Sequence, residues 1–179
     1  MAIEFLASPN HGPRRASKRI SAIVLHYTAS LGIEGPLRWF ASAESAQSAH
    51  YVVGRDGRTV QMVEEHRVAW HAGRSAMAPR TKPPGEPHVD EFSIGIALVA
   101  TADSGFTDRQ LAALYALLER LVATYRILPD RVVGRQHIAP GRRLDPDGYD
   151  RQFPWAKARE VCRVALQASS MPPITRPEG

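Results

Sequence analysis

The chain has 179 residues, a single cysteine, an apolar share of 44% and a formal charge of +5. That length carries one domain with a real core and is short for two. The lone Cys162 excludes a disulfide framework or a cysteine-rich zinc module, and no window approaches a membrane span. The positive charges are scattered, which favours acidic partners in general but not nucleic acid.

The first residues, MAIEFLASPNHGPRR, lack a basic start followed by an apolar run, so no signal peptide is expected. A cytoplasmic location follows as an expectation, with release by a phage-type holin as the alternative. Residues 20–27, ISAIVLHY, form a nearly unbroken β-branched and apolar run, which predicts a buried strand ending in His26 and Tyr27. Pro36 opens a short predicted helix, PLRWFASA. Residues 49–63 place two apolar runs around Asp56-Gly57 and predict a hairpin. HRVAWHAGRSAM reads as irregular, and residues 80–88, RTKPPGEPH, as a surface loop.

Residues 92–100, FSIGIALVA, predict a second buried strand. Thr107 and Gln110 have the spacing of a capping box. Leu111, Leu114, Leu118, Leu121, Val122 and Tyr125 behind them make one apolar helical face, closed by Pro129. RVVG at 131–134 predicts a short strand, and Pro154 starts a last helix through about Gln167. Cys162 falls on that helix's apolar stripe and is expected in the core. A single domain over 1–168 is expected, with a polar, proline-rich tail over 169–179. Mixed strands and helices with a hairpin indicate an α/β or α+β fold with a mixed sheet.

His26 ends a buried strand, and the loop after the strand at 131–134 supplies His137 and Asp145. Histidine and carboxylate converging from strand ends suit a catalytic zinc site, with three protein ligands and one open position. A lone histidine at a strand end is more often simply packed, so spacing alone gives this weak support.

IVLHYTAS, SAHYVVGRDGRTVQMV, AWHAGRS, FSIGIALV and GRQHIAPGRRLDP occur in that order. They resemble the N-acetylmuramoyl-L-alanine amidases of the AmpD, phage-lysozyme and peptidoglycan-recognition superfamily, from about Ser8 to Trp155. The resemblance implies an α/β fold with a mixed, mostly parallel sheet flanked by helices and a zinc cleft on one side. It also implies a Zn2+ cofactor and hydrolysis of the amide between N-acetylmuramic acid and L-alanine in peptidoglycan or muropeptide fragments. By the same resemblance, His26 and Asp145 match metal ligands, and Arg143 matches the position of a lysine facing the scissile carbonyl. Arg142 and Arg143, by their charge, are also candidates for holding substrate carboxylates. His50 and His71 match positions lining or supporting the cleft, as substrate contacts or as hydrogen-bonded structural histidines.

Three positions depart from the pattern. Arg135 stands where the family has its second zinc histidine, and arginine stays protonated. Were the segment extended, His137 would point the same way as residue 135 and could replace the missing ligand; otherwise the site is weakened. Ala97 replaces the glutamate of the I-G-I-E-L strand, and Ala49 the tyrosine that other branches carry before the hairpin histidine. Glu44, Glu91 and His71 are the remaining candidates for a general base. Two functions stay open: a zinc amidase, or a relative on the same fold that holds muropeptide without cutting it. Oligomeric state is not encoded in any motif.

Overall fold

The structure, a computed structural model, describes residues 3–77, 86–139, 144–148 and 153–170. Its strands are β1 (Glu4–Phe5), β2 (His11–Pro13), β3 (Ala22–Tyr27), β4 (Tyr51–Val53), β5 (Thr59–Gln61), β6 (Arg67–Ala69), β7 (Ala76–Met77), β8 (Glu86–Pro87), β9 (Ser93–Leu98) and β10 (Val132–Gly134). The α-helices are α1 (Glu34–Ala41), α2 (Asp108–Tyr125), α3 (Arg135–Ile138) and α4 (Trp155–Ala168). The main sheet runs β1-β5-β4-β9-β3-β10, and within it only the β4–β5 pair is antiparallel. The expected mixed, mostly parallel sheet is the one observed.

β3 and β9 are central because both of their faces are apolar. Ile23 and Leu25 of β3, with Ile94, Ile96 and Leu98 of β9, face Leu114, Leu117, Leu118 and Leu121 of α2 and Val161 of α4. These side chains are almost entirely buried, each worth roughly 1.5–3 kcal/mol over an exposed position. Cys162 lies in the same cluster as a buried free thiol. The alternate residues Ala22 and Val24 point to the other face, so period two carries His26 to that face as well. The helical layer thus fixes which side of the sheet remains for a site.

The predicted cap on α2 is half realised. Thr107 Oγ1 accepts the Gln110 N–H at 3.2 Å, but the Gln110 side chain does not reach back. It is fully buried and donates instead to the carbonyls of Val53 (2.9 Å) and Val99 (3.1 Å), tying the helix to the ends of β4 and β9. Residues 66–77, expected to be irregular, contain β6 and β7. β6 pairs with β2, and β7 with β8. Strands of two or three residues are too short to show a period of two in sequence. The surface loop expected at 80–88 lies mostly outside the described residues, as does the tail from residue 171.

A candidate active cleft at the end of the central strands

A cleft of about 370 Å³ opens where β3 ends. His26, His71, Ala97 and Arg135 line it, and Trp39 of α1 and Trp70 after β6 stand on its rim. Both indoles are unusually open for tryptophan, at 52% and 42% exposed. The walls are anchored by buried polar groups. Ser48 Oγ accepts the Trp70 N–H at 2.9 Å and donates to the Asn10 carbonyl at 2.6 Å. The Asn10 amide in turn donates to the Ser42 and Gln47 carbonyls and to Ser45 Oγ, bracing the segment after α1.

His71 reaches His26 because residue 95 is glycine. A Cβ there would stand 2.4 Å from the His71 ring. The imidazole lies across β9 in that space, its Nδ1 3.1 Å from His26 Nε2. A carboxylate flanks each end of the pair. Asp145 Oδ2 lies 3.4 Å from His26 Nδ1, and Asp90 Oδ1 lies 3.4 Å from His71 Nε2. The Asp145 loop is held against α3 by the Gln136 N–H on the Asp145 carbonyl, and against the β9–α2 connection by Gly148. Any Cβ at residue 148 would strike the Ala102 carbonyl at 1.9 Å, and its φ of +68° also favours glycine.

The proton positions along this row follow from counting donors. Ser93 has one hydroxyl proton, and it is committed to the Val89 carbonyl at 2.6 Å. Its oxygen therefore accepts from His71 Nε2 at 3.1 Å. Burial pushes the pKa of His71 well below the usual histidine value, with His26 and Arg135 adding to the fall, so the ring is neutral and its Nδ1 is bare. That nitrogen accepts from His26 Nε2, which leaves His26 Nδ1 bare as well. Burial also lowers the pKa of His26, against the pull of Asp145. The bare nitrogen faces Asp145 Oδ2, a buried oxygen without a hydrogen-bond partner.

Two lone pairs facing each other at 3.4 Å fit a shared cation. Zinc bonds of about 2.0–2.2 Å at a tetrahedral angle separate their donors by about 3.3–3.5 Å. His26 and Asp145 therefore fit a divalent metal, and His71 and Ser93 set the tautomer of the His26 imidazole. Replacing Ser93 with alanine should weaken zinc binding by about tenfold. Competition with a chelating dye measures it, and unchanged affinity would refute the relay.

Among the described residues no third ligand is supplied. His137, expected as a candidate, is turned away: residues 135–138 are helical rather than extended. At about 100° per residue, side chains two apart point to nearly opposite sides. The His137 ring packs 5.1 Å from Trp155, and its Nδ1 accepts the Gly134 N–H at 3.0 Å. Its other nitrogen then carries the proton, so neither is a free donor to a metal. Arg135, at the start of α3, is the residue that reaches the cleft. Among the described residues no group of three histidine, cysteine or acidic side chains is arranged to hold a metal.

His50 is also corrected as a substrate contact. It is fully buried behind His71, its Nδ1 accepting the Gly95 N–H at 3.0 Å and its Nε2 donating to the Arg67 carbonyl at 3.2 Å. Burial, reinforced by His71, drives its pKa down to about 3. Folding thus requires neutral His50, whereas the unfolded chain takes up the proton near pH 6.5. Stability is full above pH 6.5 and declines as the pH falls towards 3. His50 alone should contribute a loss of about 2 kcal/mol by pH 5, read by urea titration across pH. A midpoint flat from pH 7 to 5 would contradict the assignment.

Of the candidate bases, Glu44 and Glu91 do not line the cleft. His71 does, with its Nδ1 occupied by His26. Ala97 and Ala49 do line it. Arg142 and Arg143 lie outside the described residues.

The comparisons bear on the family and the fold that carry this cleft. The family described as N-acetylmuramoyl-L-alanine amidase, Amidase_2, matches residues 16–148. The chain belongs to the N-acetylmuramoyl-L-alanine amidase family. Among this family's members it is 38% identical over 121 residues to the 1,6-anhydro-N-acetylmuramyl-L-alanine amidase AmpD of Salmonella typhimurium. That alignment covers 68% of this chain and 59% of the relative's length. A selenomethionine AmpD crystal structure superposes with a TM-score of 0.76 at 30% identity, covering 89% of this chain and 93% of that one. The Escherichia coli amidase AmiD, solved with the substrate anhydro-N-acetylmuramic acid-L-Ala-D-γ-Glu-L-Lys, superposes with a TM-score of 0.70 at 30% identity, covering 82% of this chain and 59% of that one. Beside these amidases no helix among the described residues is long and apolar enough to cross a membrane.

Proposed function

We propose that this chain hydrolyses the amide between N-acetylmuramic acid and L-alanine in peptidoglycan fragments, at the cleft that ends β3. The observation that carries the reading is the facing pair of His26 Nδ1 and Asp145 Oδ2, bare and 3.4 Å apart. These two residues would hold zinc. When bound, the metal supplies Lewis acidity and a water acid enough to ionise near neutral pH.

The remaining steps belong to the chain itself. Trp39 and Trp70 offer open indole faces to the apolar side of the muramoyl ring. The Arg135 guanidinium presents fixed donors to an anionic oxygen of the substrate, the developing oxyanion or a stem-peptide carboxylate. The AmiD substrate named above is the fragment class to test first. A second reading, capture without cleavage, is favoured by Arg135 at the third ligand position and by alanine at 49 and 97.

The test is hydrolysis of anhydro-N-acetylmuramoyl tripeptide, followed by chromatography with added zinc and with chelator. Turnover that needs zinc and is lost in His26→Ala is the expected result. Saturable binding with no released peptide would establish the second reading instead.

A further inference from the structure

A second cavity lies at the opposite end of the sheet. The segment between β2 and β3 forms one wall and the C-terminal end of α2 the other, bounding an open groove of about 500 Å³. Arg14, Arg15, Lys18, Arg19 and Arg126 line it together with His66. Ile20, two residues before β3, also lines it, and from Ala22 to His26 the strand rises about 13 Å at about 3.3 Å per residue. The cavity is therefore separate from the cleft.

No aspartate or glutamate lines this cavity among the described residues. Glu65, at its edge through Tyr125, is already matched: it accepts from Arg120 at 2.7 Å and from the hydroxyls of Tyr51 and Tyr125. Glu64 lies 3.5 Å from His66 alone. Arg14 is occupied by the carbonyls of Glu91 (2.6 Å) and Arg67 (2.7 Å), which pin the segment in place. Arg126 donates to Ser169 and Ser170 at the end of α4. Arg15 and Arg19 are different. Both are exposed, and among the described residues neither guanidinium has a hydrogen-bond or ion-pair partner.

A wall lined by cations, with no carboxylate among its described lining residues, raises the local potential and concentrates anions. Guanidinium forks match the oxygens of phosphate in pairs. The volume suits a small molecule, within the roughly 300–1,000 Å³ of ordinary ligand sites. We propose that this cavity binds a small molecule carrying two or more phosphate groups, with Arg15 and Arg19 as its principal contacts.

The test titrates tripolyphosphate into the full chain at 150 mM NaCl, by calorimetry and by amide chemical shifts. One-to-one binding with a Kd below about 1 mM is expected, with shifts confined to residues 14–20, 66 and 124–126. Arg15→Glu/Arg19→Glu should weaken it tenfold or more. Arg38→Glu/Arg109→Glu, the same change in net charge elsewhere, should leave it intact. Equal loss in both pairs, or binding that never saturates, would overturn the site in favour of a diffuse field. A duplex oligonucleotide that binds the same residues more tightly than tripolyphosphate would overturn it in favour of nucleic acid. If the Arg15/Arg19 double variant does not fold, the wild-type shift map decides alone, and shifts outside those residues overturn the proposal.

Discussion

Arg135→His should tighten zinc binding about 100-fold. Arg135 opens α3 directly after β10, and its side chain enters the cleft beside His26 and His71. Its Nη2 comes within 3.9 Å of where a Gly73 Cβ would stand, so the side chain reaches from α3 towards the segment that follows His71. The guanidinium acts against a metal twice. It brings no lone pair, and its charge repels any cation shared by His26 and Asp145. Histidine removes the repulsion and adds a donor, and a gain of about 2.7 kcal/mol corresponds to that 100-fold. Arg135→Ala separates the two effects and should recover only part of the gain. A dye-competition titration at pH 7.5 reads all three proteins. If Arg135→His binds zinc no better than the parent, His137 is completing the site in solution and the helical geometry of 135–138 does not hold there.

Ala97→Glu in the Arg135→His background should raise kcat by about 10²- to 10⁴-fold, the usual worth of a positioned general base. Ala97 stands opposite His26 in the β3–β9 register and lines the cleft, so a carboxylate there projects beside the ligand imidazole. The position is only 2% exposed, so burying the new charge costs stability by a few kcal/mol and the melting temperature should fall. Ala97→Gln in the same background has the shape without the base and should not gain turnover. Equal rates in the glutamate and glutamine variants would show that proton removal is not served from β9.

What the sequence discloses is uneven, for physical reasons. β3, β9 and α2 are legible because long apolar runs and a sustained 3.6-residue stripe leave few alternatives. His26 and Asp145 are legible through motif order. The His26–His71 pairing is not: 45 residues separate the rings, and only the space left by Gly95 lets them meet. The isolated glycine inside FSIGIALVA was the available signal, since a strand glycine often marks a close approach. The fate of His137 turned on local backbone. IAPG looks like a loop, and an extended segment would have brought 135 and 137 to one side. One turn of helix sends them apart, and the Gly134 N–H and Trp155 hold the imidazole where it lands. Gln110 shows the same limit from the other direction, its capping spacing real and its side chain recruited by the sheet.

The most direct measurement is an anomalous difference map, collected at the zinc edge from crystals grown with zinc and the tripeptide fragment. The account predicts one peak within bonding distance of His26 Nδ1 and Asp145 Oδ2, with His71 Nδ1 still against His26 Nε2 and the His137 ring on Trp155. No peak, with the Arg135 guanidinium seated between His26 and Asp145, would contradict it.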